Sequence, residues 1–108
     1  MKRGDVVTVT GGSDYAGKPR PAVIVQNAHF DATESVTVCL FTTNAESASF
    51  RVAVQPNAAN GLVQPSWAMA DKVMSVPREK VGRHIGRLTE GDIERLNRAL
   101  SVFLGLAG

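Results

Sequence analysis

Two prolines bracket one arginine in Gly17-Lys18-Pro19-Arg20-Pro21, and the apolar run Ala22-Val23-Ile24-Val25 follows at once. Proline fixes its own φ and restricts the residue before it, so the chain is stiff where a loop enters what reads as a buried strand. A guanidinium at such a junction is preorganised, and its fork of donors matches phosphate oxygens. The same arginine could equally pair with a nearby carboxylate and only fix the strand entry. Two other groups could move protons. His84 stands in Arg83-His84-Ile85-Gly86-Arg87, and Asp71 in Met69-Ala70-Asp71-Lys72-Val73. An imidazole suits acid–base work near neutrality, although a lone strand histidine is more often structural. His29 reads as a loop residue.

Basic residues fall in two blocks. Lys2, Arg3, Lys18 and Arg20 form the first; Lys72, Arg78, Lys80, Arg83 and Arg87 form the second. They are either two solvated faces or two walls converging on one anionic ligand. The net charge of +2 permits nucleic-acid binding without demanding it. Tyr15, in the loop before Arg20, offers a face on which an unpaired base could stack. Trp67 fits a core or a dimer interface better. The single cysteine, Cys39, lies in Val36-Thr37-Val38-Cys39-Leu40-Phe41 and reads as a small buried hydrophobe. No nucleotide-binding glycine motif, no Gly-x-Ser-x-Gly and no His-x-x-x-His is present. These absences point away from a metal enzyme, and no cofactor is expected.

The elements that must position these residues are mostly strands. Asp5–Thr10, Pro21–Asn27, Ser35–Phe41, Phe50–Val54, Ser66–Val76 and Arg83–Leu88 are rich in β-branched and apolar residues. The second and third are continuous apolar runs, as expected of central strands buried on both faces. Gly11 to Lys18, Thr42 to Ser49 and Gln55 to Pro65 read as loops, the last with room for one helical turn. Pro77 stops the fifth strand, and a short turn over Arg78–Val81 leads to the sixth. Thr89-Glu90-Gly91-Asp92 is a variant capping box. Ile93, Leu96, Leu100, Phe103 and Leu104 follow at helical spacing, and Gly105 is a natural end, so a helix is expected from about Glu90 to Leu104. The 108 residues suit one domain, residues 1–108. The fold class is mainly β (α+β): a compact, SH3-like, partly closed β-barrel with a C-terminal helix across it. Met1-Lys2-Arg3 begins like a signal peptide, but Gly4 and Asp5 follow without an apolar core. No run approaches the length of a membrane span. A cytoplasmic protein with no membrane partner is expected.

The order of several segments resembles one family. Met1-Lys2-Arg3-Gly4-Asp5-Val6-Val7, then Gly17-Lys18-Pro19-Arg20-Pro21-Ala22-Val23-Ile24-Val25, is similar to the N-terminal signature of MazF/PemK toxins. Leu40-Phe41-Thr42-Thr43, Met69-Ala70-Asp71-Lys72-Val73 and Ile85-Gly86-Arg87-Leu88 continue the match nearly end to end. The resemblance implies a CcdB/MazF-type fold and a metal-independent, sequence-specific endoribonuclease acting on single-stranded RNA such as mRNA. In that chemistry the 2′-hydroxyl attacks the adjacent phosphate, leaving a 2′,3′-cyclic phosphate and a 5′-hydroxyl. It implies that Arg20 stabilises the phosphorane and that Thr42 hydrogen-bonds the scissile phosphate. Asp71 is then a base, a positioning group or a structural partner of Arg20, and His84 is a weaker alternative base. Tyr15, Lys18, Thr43, Lys72, Arg78 and Arg83 are expected to bind RNA. A homodimer and a cognate antitoxin are the implied protein partners. The sequence departs from many relatives in carrying Met69 and Met74 where they have arginines flanking the strand acid; Lys72 is the replacement cation within reach along the chain. Two other readings share the fold: a gyrase poison of the CcdB kind, acting by binding alone, and a non-catalytic SH3-like module.

Overall fold

The computed structural model describes residues 1–10, 18–45 and 48–106. Six strands run in chain order: β1 (Asp5–Val9), β2 (Arg20–Ile24), β3 (Ser35–Thr42), β4 (Arg51–Val54), β5 (Ser66–Pro77) and β6 (Val81–Arg87). One α-helix, α1 (Glu90–Phe103), follows. Short 3-10 turns at Ala28–Phe30 and Arg78–Lys80 link β2 to β3 and β5 to β6. The Gln55–Pro65 connection contains no helical turn.

The strands form one antiparallel sheet in the order β4-β5-β3-β2-β1-β6. The continuous apolar runs lie at its centre. Ala22, Val23 and Ile24 of β2 and Val36, Val38 and Cys39 of β3 are almost wholly buried, so both faces of these strands are covered. On one face Val6, Val23, Cys39, Phe41, Val52, Val54 and Ala68 pack with Ile93, Leu96, Ala99 and Leu100 of α1. On the other, Val7, Val9, Ala22, Ile24, Val36, Val38 and Val76 pack together, joined by Met1, Leu40 and Val81. Among the described residues no helix covers this second cluster, and the sheet coils around it, as the right-handed twist of strands allows. This is the partly closed barrel expected from the sequence.

Strand β5 bends sharply. Against β3, Cys39 pairs with Val73 and Phe41 with Ala68, so β3 advances two residues while β5 advances five. The extra residues, including Met69 and Asp71, make an irregularity in the β3–β5 ladder, while Met69 stays in register with Arg51 of β4. Helix α1 starts where the capping box predicts, with Thr89 Oγ accepting the Asp92 N–H at 3.2 Å. Its stripe differs at the far end: Ala99 is buried, while Phe103 and Leu104 are about half exposed. Phe103 instead meets Phe50, ring centroids 5.7 Å apart.

The turn between β4 and β5 is built from two asparagines. Asn57 Oδ1 accepts the N–H groups of Ala59 and Asn60. Asn60, fully buried, accepts from Asn57 and Leu62 and donates to the Gln55 carbonyl. This turn lies against β6, where Arg87 N–H donates to the Ala59 carbonyl at 2.8 Å. A side chain at Gly86 would collide with the backbone of Ala59 and Asn60, which gives the Ile85-Gly86 pair its structural reason.

Candidate active site

The strand register gathers the site. Val9 of β1 pairs with Arg20 of β2, Thr42 of β3 with Trp67 of β5, and Trp67 with Ala53 of β4. In the β2–β3 ladder Ala22 faces Leu40. Continuing it by two residues places Arg20 opposite Thr42. On that register Ala53, Trp67, Thr42, Arg20 and Val9 fall in one row, its β2–β3 step lying two residues past the last paired residues. Directly opposed residues hold their Cβ atoms roughly 4.5–5.5 Å apart. Arg20 is exposed and opens β2, and among the described residues no carboxylate pairs with it. Thr42 is half-buried at the end of β3. Its Oγ accepts the Asn44 N–H at 3.2 Å, and the hydroxyl keeps its own hydrogen as a donor. Lys18 and Thr43 flank the pair and are exposed. Tyr15 lies outside the described residues.

Asp71 has another partner than the sequence suggests. Arg51 on β4 donates from Nε to Asp71 Oδ1 and from Nη2 to Oδ2, both at 2.9 Å, a bidentate pair with both side chains largely shielded. Asp71 is not paired with Arg20. The Arg51 guanidinium holds its carboxyl below the ordinary value, against the opposing effect of burial. A carboxylate so stabilised is a weak base at neutral pH. Arg51 also answers the departure at Met69: it pairs across strands with that residue, so the cation at the acid comes from β4 rather than along β5. Lys72 is exposed. Sequence reading missed Arg51 because Phe50-Arg51-Val52-Ala53-Val54 shows only an alternating strand. The pairing becomes visible once β4 and β5 are in register.

His84 stands apart. It lies on β6, two strands from β2, about 10 Å at the usual strand spacing. Its Nε2 is 3.5 Å from Asp5 Oδ1, with the side chain 56% exposed. Asp5, nearly buried, also receives Arg87 Nη1 at 3.1 Å and the Lys2 N–H at 2.8 Å. Burial pushes the Asp5 carboxyl up, but these donors outweigh it and hold the group below its ordinary value.

Several arginines of the basic blocks are tied into the fold. Arg78 lies beside Ser35, at the end of β3 opposite to Thr42, about 23 Å along an eight-residue strand. Its guanidinium donates to the carbonyls of Asp31 and Thr33. Arg87 donates to the Arg3 carbonyl, and Arg3 to the Asn97 side chain. These three arginines staple segments of the fold. Arg83 is exposed on the edge strand β6, its N–H on Thr8 Oγ. Cys39 is fully buried, and burial pushes its thiol up to about 12, as befits an inert core residue.

With this geometry, comparison with known proteins becomes informative. Residues 2–104 match the family model described as PemK-like, MazF-like toxin of type II toxin–antitoxin system. The chain belongs to this family. Over its whole length it is 49% identical to the probable endoribonuclease MazF of Mycolicibacterium smegmatis, all of which is covered. It is 32% identical to endoribonuclease MazF9 of Mycobacterium tuberculosis, with 98% of each chain covered. The chain is thus a MazF homologue, and its six-stranded antiparallel sheet with a C-terminal helix is the MazF fold. Among solved structures, a mycobacterial endoribonuclease in complex with its cognate antitoxin superposes with a TM-score of 0.82 at 26% identity, covering 98% of this chain and 96% of that one. MazF of Deinococcus radiodurans shares the fold at a TM-score of 0.77, 20% identity and 97% and 96% coverage.

Proposed function

We propose that this chain is the toxin of a type II toxin–antitoxin system and acts as a metal-independent endoribonuclease on single-stranded RNA. The observation that carries the reading is the β2–β3 register: continued two residues past Ala22–Leu40, it sets the exposed Arg20 opposite the half-buried Thr42. The attacking nucleophile is the RNA 2′-hydroxyl. Its oxygen bonds to the adjacent phosphorus as its proton passes to water, the P–O5′ bond to the next nucleotide breaks and the leaving 5′-oxygen takes a proton from water, and the products are a 2′,3′-cyclic phosphate and a 5′-hydroxyl. Negative charge builds on the non-bridging oxygens of the phosphorane. The Arg20 guanidinium meets that charge with two parallel donors, and the Thr42 hydroxyl donates a third. Arginine is too weak an acid to be the main proton donor, so its role is electrostatic. Asp71 acts through Arg51, as a positioning residue. Lys18, Thr43 and Lys72, all exposed, would meet the RNA backbone in this reading; Tyr15 belongs to the same reading as a stacking residue. Among the described residues no group of three or more His, Cys, Asp and Glu side chains could hold a metal ion.

The same reading makes the protein a cytoplasmic homodimer held in check by a cognate antitoxin. Among the described residues no helix is long and apolar enough to cross a membrane. Val102, Phe103, Leu104 and Leu106 are exposed at the C-terminal end of α1, an apolar surface suited to a two-fold partner. An acidic, apolar antitoxin segment that folds on binding would cover the Arg20–Thr42 row.

The test is to incubate the purified protein with mixed-sequence single-stranded RNA in EDTA and identify the new ends. Cyclic phosphates and 5′-hydroxyls are expected. Cleavage that needs added magnesium, or that leaves 5′-phosphates, would contradict the reading.

A further inference from the structure

Trp67 is absent from both apolar clusters of the fold. It is half-buried, and it is the direct cross-strand neighbour of Thr42. Its indole lines an open cavity of about 730 Å³ with Ala45, Ala48, Ser49 and Ala53, and with Arg51 and Arg95. The lining mixes polar and apolar surface, Arg51 and Arg95 are part of it, and none of the described residues that line it is acidic. Arg51 is held rigid by its bidentate bond to Asp71. Arg95 comes from α1, where Nη1 meets Asp92 Oδ1 at 2.8 Å.

We propose that this cavity is a nucleobase subsite: one unpaired guanine next to the scissile phosphate stacks on Trp67 and turns its O6/N7 edge toward Arg51 and Arg95. The proposal rests on the nuclease reading above. Its chemistry is general. An aromatic face accepts any base, so stacking supplies affinity. Guanidinium donors favour an edge with two adjacent acceptors, which guanine presents at O6 and N7. The volume is in the range of small-molecule sites. Because Thr42 and Trp67 are opposed residues on adjacent strands, a phosphate held at Thr42 brings its own nucleotide within reach of the indole. The Arg51–Asp71 pair thereby acquires a purpose, which is to hold one wall of the subsite in place for base recognition.

Trp67 is the single tryptophan of the chain, so its fluorescence reports on the subsite alone. The probe is a short 2′-O-methyl RNA spanning a cut site mapped in mixed-sequence RNA, with abasic residues placed at each position in turn. The intact probe is expected to quench Trp67 fluorescence. One abasic position beside the cut, guanosine in the intact probe, should abolish the quenching and weaken binding about ten-fold or more. In cleavage assays Trp67→Ala should raise KM by about ten-fold with kcat within about three-fold, while Trp67→Phe restores most of the KM loss. Wild-type protein that binds and cuts RNA with no change in Trp67 fluorescence, and a Trp67→Ala protein with unaltered KM, would overturn the subsite while leaving the nuclease reading intact. A sensitive position that takes any base equally would overturn the assignment of guanine. A wild-type protein that cuts no RNA would overturn both.

Discussion

Asp71 shows how a neighbour decides what a carboxylate can do. With Arg51 on both oxygens it stays ionised well into acid, so it does not titrate near neutrality and is not a general base there. The rate of RNA cleavage should therefore show no limb attributable to Asp71 between pH 5 and 9, and Asp71→Asn should leave the shape of the pH–rate profile unchanged while lowering stability. Because the folded carboxyl titrates below its unfolded value near 4, the pair contributes its stability in full above that value and loses it as pH falls through the lower folded one. Urea unfolding of wild type should show that loss below about pH 4. Asp71→Asn should be flatter there and less stable at pH 7 by about 1.5–3 kcal/mol, the size of a hydrogen bond to a charged group. An Asp71→Asn protein as stable as wild type at pH 7 would show that the ion pair contributes nothing.

At the scale of elements, the sheet is held in register by contacts that short polar residues make possible. Gly86 lets the Asn57–Asn60 turn lie directly on β6. Gly86→Ala should cost about 1–3 kcal/mol, the usual range for overpacking. Thr89→Ala, which removes the cap of α1, should cost about 1 kcal/mol. Both are read as a lower urea midpoint with an unchanged slope, and a midpoint equal to wild type for either would sink the corresponding contact. The strands themselves were legible in the sequence because buried valine and isoleucine runs leave few alternatives, and the helix because Thr89 and the spacing from Ile93 agree. The ends were less legible. Arg20 belongs to β2 because it pairs with Val9, not because its own neighbours look strand-like. The helical stripe misplaced Phe103, since Phe50, from a distant segment, decides where that ring rests. In the same way the Arg20–Thr42 part of the proposed site rests on resemblance. Arg51 and Trp67 were not readable, because their partners are set by strand register over 20 residues and by an irregularity in the β3–β5 ladder that no local pattern announces.

For the whole molecule, the exposed apolar end of α1 bears on assembly. Sedimentation velocity should give a species of twice 11.5 kDa. Leu104→Glu should shift it toward the monomer while the circular dichroism spectrum stays that of the folded chain. A wild-type monomer at micromolar concentration would contradict the dimer. The central claim is that the Arg20–Thr42 row is a phosphodiester-cleaving site that works without a metal. Single-turnover cleavage of single-stranded RNA in EDTA, comparing wild type with Arg20→Ala and Thr42→Ala, tests it most directly. Removal of a preorganised donor to the transition state should slow cleavage by about 10²–10³-fold in each variant, with folding intact and the cyclic-phosphate ends unchanged. A folded Arg20→Ala protein that cuts at the wild-type rate would place the chemistry elsewhere on the molecule.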